Sequence, residues 1–201
     1  MRSIRLLADP HEELDRRNPL VITVNDVLSR DECAGLMARI EAARPTAAPV
    51  TTFSGFVMRP DIRNNGRVMF DDAGLAMMLF ERVRGELPER LESDWRICGA
   101  NERLRCYRYE PGQYFKPHFD GAFHRHAEER SLLTFMVYLN DVEAGGDTAF
   151  LDLGLVVKPR AGTALVFNHH LFHESTTLQR GLKYAVRSDV MYRRDARASG
   201  C

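Results

Sequence analysis

Two runs, Leu132-Leu133-Thr134-Phe135-Met136-Val137-Tyr138-Leu139-Asn140 and Lys183-Tyr184-Ala185-Val186-Arg187-Ser188-Asp189-Val190-Met191-Tyr192, decide the fold class. Both are rich in β-branched and aromatic residues, the composition of strands. Because side chains alternate across a strand, Thr134, Met136 and Tyr138 share one face of the first run. In the second, Lys183, Ala185, Arg187 and Asp189 share a face, which is polar. Working outward from these runs, everything after Glu92 reads as consecutive short strands. They are punctuated by Pro111-Gly112, Gly121, Gly145-Gly146, Pro159, Gly162 and Gly181.

The N-terminal half has a different period. Leu20 to Val27 reads as a strand, and Ser29-Arg30-Asp31-Glu32 has the S-x-x-E form that opens a helix. Cys33, Leu36, Met37 and Ile40 follow at the spacing of one apolar helical face, and Pro45 and Pro49 end it. A second helix opens at Asp71-Asp72, carries Leu75, Met78, Leu79 and Val83 on one side, and stops near Pro88. Helices first and strands after point to an α+β fold, with helices packed on one face of an antiparallel sheet. The 201 residues suit a single domain, 1–201, with residues 1–17 as a loose lead-in.

Composition excludes some partners. Lysine plus arginine and aspartate plus glutamate both number 28, so no global field draws the chain to nucleic acid or an anionic membrane. Cys33, Cys98, Cys106 and Cys201 form no C-x-x-C pair, which fits reduced thiols and a cytoplasmic location. The first residues show no apolar stretch of signal-peptide or membrane-span length.

His118-Phe119-Asp120 places an imidazole and a carboxylate two residues apart, on one face if the segment is a strand. Chance supplies such pairs easily, so context has to discriminate. His11-Glu12-Glu13 and His126-Ala127-Glu128 are similar pairs in polar, aperiodic stretches, whereas His118 and Asp120 lie among Tyr114, Phe115, Ala122 and Phe123. A third metal ligand would come from Phe167-Asn168-His169-His170-Leu171-Phe172-His173-Glu174, which offers three histidines. If His173 is the ligand, its substitution should abolish activity while His169 and His170 variants retain it.

Five ordered motifs together carry a resemblance. They are Tyr109-Glu110-Pro111-Gly112; His118-Phe119-Asp120; Gly145-Gly146-Asp147-Thr148-Ala149-Phe150; Pro159-Arg160-Ala161-Gly162-Thr163-Ala164-Leu165-Val166-Phe167; and His173 with Lys183 ten residues beyond. This pattern resembles the prolyl 4-hydroxylase-like Fe(II)/2-oxoglutarate-dependent dioxygenases, over about residues 100 to 192. The resemblance implies a double-stranded β-helix (jelly-roll or cupin-like) core, 100–192, with N-terminal supporting helices. It implies Fe(II) bound by His118, Asp120 and His173, with 2-oxoglutarate and O2 as co-substrates and ascorbate as reductant. Lys183 would pair with the distal carboxylate of 2-oxoglutarate, Tyr138 would share it, and Tyr109 would lie nearby.

The sequence also departs from that pattern. Prolyl-modifying relatives tend to carry a bulky aromatic where Asp189 stands. Arg187 and Asp189, with Arg63, therefore suggest a charged lining that orients a polar small molecule or a peptidyl side chain. The default outcome is hydroxylation with release of succinate and CO2. A non-catalytic metal- or ligand-binding module and an oxidative demethylase are the alternatives.

Overall fold

The computed structural model describes residues 5–6, 20–52, 55–92 and 94–195. His11-Glu12-Glu13, Cys201 and most of the lead-in lie outside them. Arg5–Leu6 is a short strand paired with Val21 and Ile22, so this part of the lead-in joins the sheet.

Two antiparallel sheets make up the body. In the major sheet, neighbouring strands run Arg5–Leu6, Val21–Val24, Ala164–Asn168, Glu129–Tyr138, Lys183–Arg194, Arg103–Tyr109, Gly66–Asp71 and Thr46–Ala47. The minor sheet is Phe115–His118, His173–Ser175, Thr148–Phe150 and Leu155–Val157. This is the jelly-roll arrangement. The two runs that begin the sequence reading pair with each other, Thr134 opposite Asp189, Met136 opposite Arg187 and Tyr138 opposite Ala185.

Alternation along those strands sorts residues into two cores. Leu133, Phe135, Val137, Tyr184, Val186 and Val190 point to the layer that the helices cover. Tyr107, Tyr109, Tyr138, Phe150, Phe167 and Ala185 point between the sheets. A one-residue slip would exchange these faces and put Lys183 and Arg187 beneath the helices.

Both helices are capped as expected. Ser29 caps Arg30–Ala42 with the full reciprocal box to Glu32, burying Cys33 and Ile40. Asp72 caps Ala73–Val83 through the Leu75 N–H, burying Ala76, Leu79, Phe80 and Val83. The expected order of helices first and strands after is too simple. Strands Thr46–Ala47, Val50–Thr52, Gly55–Val57 and Gly66–Asp71 lie between the helices. The residues of these strands whose burial is described are exposed or half-exposed, so they lack the apolar alternation that announces a buried strand. Strands outside 100–192 are also integral to the major sheet: Val21–Val24 flanks Ala164–Asn168, and Gly66–Asp71 flanks Arg103–Tyr109.

Gly145 pairs with Leu178 in a short two-stranded ladder, three residues before Thr148. Its φ of +73° is left-handed, and a Cβ there would stand 2.2 Å from the Thr177 carbonyl oxygen. Gly145→Ala should therefore lower stability by about 2 kcal/mol or more, combining left-handed strain with a backbone clash. An unchanged denaturant midpoint would refute this.

Candidate metal centre

His118 and His173 face each other across the minor sheet. They are Cα partners on adjacent antiparallel strands, and their rings lie 4.4 Å apart. The strand ends at His118, so Asp120 is not on it, contrary to the simplest reading of an H-x-D pair. A backbone hydrogen bond from the Asp120 N–H to the His169 carbonyl (3.1 Å) holds the turn and returns the carboxylate to the histidines. The Nε2 atoms of His118 and His173 stand 3.8 and 3.7 Å from the Asp120 oxygens. One ligand atom from each residue falls within 4.8 Å of the others.

Proton placement favours a cation. His118 Nδ1 lies 2.8 Å from the Lys116 carbonyl oxygen, and His173 Nδ1 lies 2.9 Å from that of Leu171. A carbonyl can only accept, so each Nδ1 carries the hydrogen and each Nε2 presents its lone pair to the cluster. Burial, and then the neighbouring His173, push the His118 imidazole down to about 3; burial likewise lowers His173. Burial alone would raise Asp120, but Arg187 and the nearby imidazoles hold it well below the usual carboxylate range. Two neutral imidazoles and one ionised carboxylate are the donor set of a non-haem Fe(II) site with open positions. The residues present fit such an ion.

Behind Asp120 runs a chain whose hydrogens can all be assigned. The Phe123 N–H donates to Ser131 Oγ (2.8 Å), and Ser131 Oγ contacts His169 Nε2 (2.8 Å). His169 Nδ1 lies 2.9 Å from Thr134 Oγ1, which donates to Asp120 Oδ2 at 2.6 Å. Because Thr134 gives its hydrogen to the carboxylate, it must accept from His169 Nδ1–H, leaving His169 Nε2 to accept from Ser131. Both His169 nitrogens are engaged, and burial lowers this imidazole to about 4, keeping it neutral. His169 thus supports Asp120 and is no rival ligand. His170 is exposed. His126, the other motif histidine among the described residues, is exposed on a short edge strand.

Lys183 lies at the far end of the same pocket. It is 2% exposed, and its Nζ donates to the Gly146 carbonyl (2.5 Å) and Ser175 Oγ (2.8 Å). No carboxylate lies within ion-pairing distance of it among the described residues. Burial pulls it down to about 7 despite some help from Asp147. Tyr109 and Tyr138 present their rings 4.9 and 5.6 Å from Nζ. Tyr109 lines the pocket, whereas Tyr138 sits one layer back with its hydroxyl 2.6 Å from Thr148 Oγ1. Thr148 and Ser175 are the polar groups that reach the pocket there, and the sequence reading missed their role. The threonine of Gly145-Gly146-Asp147-Thr148 was the available signal. Phe115, Phe167 and Met136 supply apolar wall.

Of the residues expected to line a substrate site, Arg187 reaches both this pocket and the adjoining groove. Its Nη2 lies 3.2 Å from Asp120 Oδ2 and 3.2 Å from Asp189 Oδ1. Asp189 is 1% exposed and also takes Arg105 Nη1 (3.1 Å) and Asn101 Nδ2 (3.2 Å). It therefore stands behind the arginines and anchors them, rather than lining the pocket. Arg63 lies in the groove, with its guanidinium over the rings of Phe115 (4.4 Å) and Tyr107 (4.8 Å).

Comparison with known proteins bears on the family and the fold. Residues 104–188 match the model of the 2OG-Fe(II) oxygenase superfamily. The chain is 30% identical over 185 residues to prolyl 4-hydroxylase subunit alpha-2 of Gallus gallus, covering 85% of this chain and 32% of that protein. It is 42% identical over 95 residues to probable prolyl 4-hydroxylase 11 of Arabidopsis thaliana, covering 43% of this chain and 32% of that one. The chain thus spans about a third of the length of each of these relatives. Among solved structures, the viral collagen prolyl hydroxylase of Paramecium Bursaria Chlorella virus-1, as its 2OG complex, superposes with a TM-score of 0.59. The identity is 22%, with 86% of this chain and 96% of that one covered. A Trichoplax adhaerens prolyl hydroxylase, in complex with a hypoxia inducible factor oxygen degradation domain peptide fragment, gives 0.62 at 16% identity, covering 85% and 82%. These likenesses support the jelly-roll fold, and through residues 104–188 the chain belongs to the 2OG-Fe(II) oxygenase superfamily.

Proposed function

We propose that this chain is an Fe(II)- and 2-oxoglutarate-dependent dioxygenase that hydroxylates a polar small molecule or a peptidyl side chain, releasing succinate and CO2. The observation that carries this reading is Lys183, a buried ammonium with no acidic partner among the described residues, in the same pocket as the His118, Asp120 and His173 ligand atoms. Burying a cation unpaired is unfavourable, and a dicarboxylate reaching from the metal ligands to Nζ would offset that cost. The relatives' names add that prolyl residues are acted on by proteins of similar sequence.

His118 and His173 would hold the iron through Nε2, and Asp120 through its carboxylate. Bound iron supplies the redox chemistry by which O2 and 2-oxoglutarate oxidise a C–H bond. The chain's own residues do the rest. Thr134 and Arg187 fix the Asp120 carboxylate by donating to it, and the Lys116 and Leu171 carbonyls fix both imidazoles. Lys183, Ser175 and Thr148 would receive the distal carboxylate of the co-substrate, with Tyr109 beside them and Tyr138 orienting Thr148. Phe115, Phe167 and Met136 keep water from the reacting centre. Residues 1–201 would act as one catalytic domain, with ascorbate as reductant, in a reducing compartment such as the cytoplasm that suits its free thiols.

Purified protein supplied with Fe(II), ascorbate and 2-oxoglutarate should release succinate, and an Asp120→Ala variant should not. Equal release from both would replace this reading with a non-catalytic binding module.

A further inference from the structure

Next to the pocket lies a wider groove. Its lining among the described residues includes five arginines, Arg63, Arg67, Arg103, Arg105 and Arg187, against one acidic residue, Asp120. Acids behind the wall match only part of this charge. Arg103 pairs with Asp71 (2.9 Å), while Arg105 and Arg187 share Asp189. Asp120, the other partner of Arg187, is itself a candidate metal ligand.

Arg63 and Arg67 have no ion pair among the described residues. Arg63 is 5% exposed; its Nε donates to Asn65 Oδ1 (2.7 Å), but its Nη2 is buried with no hydrogen-bond partner. Buried donors in folded proteins are nearly always paired, so this one calls for a partner that a water or a ligand group can supply. Arg67 is half-buried and lies opposite Tyr107 in the sheet register, and Arg63 sits over the ring of that tyrosine. Burial, and then the charges of Arg63, Arg105 and Arg187, press the Arg67 guanidinium below its ordinary range. Burial would raise the Tyr107 phenol, yet Arg187, Arg63 and Arg105 hold it low. Both shifts report a positive potential focused on one spot of the groove. Around that spot the surface is apolar: Phe56 is 71% and Phe119 44% exposed, and both line the groove.

We infer that the substrate of this site carries a carboxylate beside an apolar or aromatic group, the carboxylate received by Arg63 and Arg67 and the apolar part by Phe56 and Phe119. This rests on the dioxygenase reading and names the substrate class for it. The co-substrate does not satisfy these arginines, because its distal charge is assigned to Lys183 in the other pocket. Paired guanidiniums suit a planar carboxylate through parallel N–H donors, and the flanking rings remove the competing water.

The carboxylate could belong to a free acid or to an acidic peptide residue, and matched probes separate the two. Protein held anaerobically with Fe(II) and saturating 2-oxoglutarate is titrated calorimetrically with N-acetylphenylalanine and its amide. The second pair is acetyl-Phe-Glu-amide and acetyl-Phe-Gln-amide. The acid should bind at least about tenfold more tightly than its neutral partner in one pair, which identifies the source. Arg63→Gln and Arg67→Gln should each bring that preference down to about threefold or less. Arg67 is half-exposed, so its variant serves even where the buried Arg63 variant fails to fold. Equal affinity within both pairs, no binding of either acid, or a preference unchanged in the Arg67 variant overturns the inference. Affinity is read here without turnover, whereas the dioxygenase reading stands or falls on Asp120-dependent succinate release.

Discussion

His173→Ala should abolish both iron binding and succinate release, His170→Ala should change neither, and His169→Ala should weaken iron binding by about 10- to 100-fold. Three histidines in five residues would thus give three different outcomes. His173 presents a free Nε2 to Asp120 at 3.7 Å, and removing it leaves two ligands where three are needed. His170 is exposed and touches nothing at the site. His169 holds Thr134, and Thr134 holds Asp120 Oδ2, so its loss removes one of the two side chains that fix the carboxylate and leaves Arg187 alone to hold it. The order of this series is the informative part. Reading the motifs alone, His169 and His170 variants should behave alike; the hydrogen-bond chain separates them. Iron titration by calorimetry, with succinate release alongside, measures all three. If the His169 and His170 variants prove indistinguishable, the chain from Ser131 to Asp120 has no part in positioning the metal.

Lys183→Met should lose 2-oxoglutarate binding and, at the same time, make the co-substrate-free protein more stable, on the order of a few kcal/mol. Both effects have one cause. The ammonium is buried, hydrogen-bonded to the Gly146 carbonyl and the Ser175 hydroxyl beside the Tyr109 and Tyr138 rings, so folding strips a charge of water with no carboxylate in ion-pairing distance among the described residues. Methionine fills the same channel without that charge. The pH dependence carries a definite sign. Lys183 falls from an ordinary 10.5 to about 7 in the folded protein. Below pH 7 both folded and unfolded chains hold the proton, so the penalty is complete. Between 7 and 10.5 the unfolded chain binds more protons, and wild-type stability rises relative to the variant. The stability gap should therefore be widest below pH 7 and close as pH approaches 10.5, as read from paired denaturant titrations. Co-substrate affinity moves the other way. Binding a carboxylate at Nζ requires the ammonium, so above about pH 7 the wild-type Kd for 2-oxoglutarate should rise by up to about tenfold per pH unit. A Kd independent of pH from 6 to 9 would mean that Lys183 does not hold the co-substrate.

The structure also alters how the charged lining is understood. Arg187 and Asp189 share a strand face with Lys183, as alternation requires, yet they do not play equivalent parts. Asp189 is consumed by Arg187, Arg105 and Asn101, and so sets where the arginines point. Arg105 sits opposite Arg187 in the sheet register, so one buried carboxylate fixes both guanidiniums. Among the described residues, the groove arginines with no ion pair are Arg63 and Arg67. These enter from the segment and strand between the two helices, where exposed and half-exposed residues hide the strand period.

What the sequence determined by itself was local or strictly periodic. Ser29 with Glu32, and Asp72 with Leu75, fix the helix starts within one turn of chain. The alternation of 132–140 and 183–192 sets which side chains face the site, because a strand has no third option. The spacing of His173 and Lys183 also lies on a few residues of chain, so motif reading could find both. Tertiary structure alone decided what depends on distant partners. The His169 carbonyl brings Asp120 back to the histidines after the strand has ended, and the Lys116 and Leu171 carbonyls select each tautomer. Thr148 stands in front of Tyr138, and Asp189 lies behind Arg187 instead of in the pocket. Each of these is set by hydrogen bonds and packing between elements far apart in sequence. No period within one segment encodes which buried donor finds which acceptor, and in this protein that pairing separates the residues that line the site from those that hold them in place.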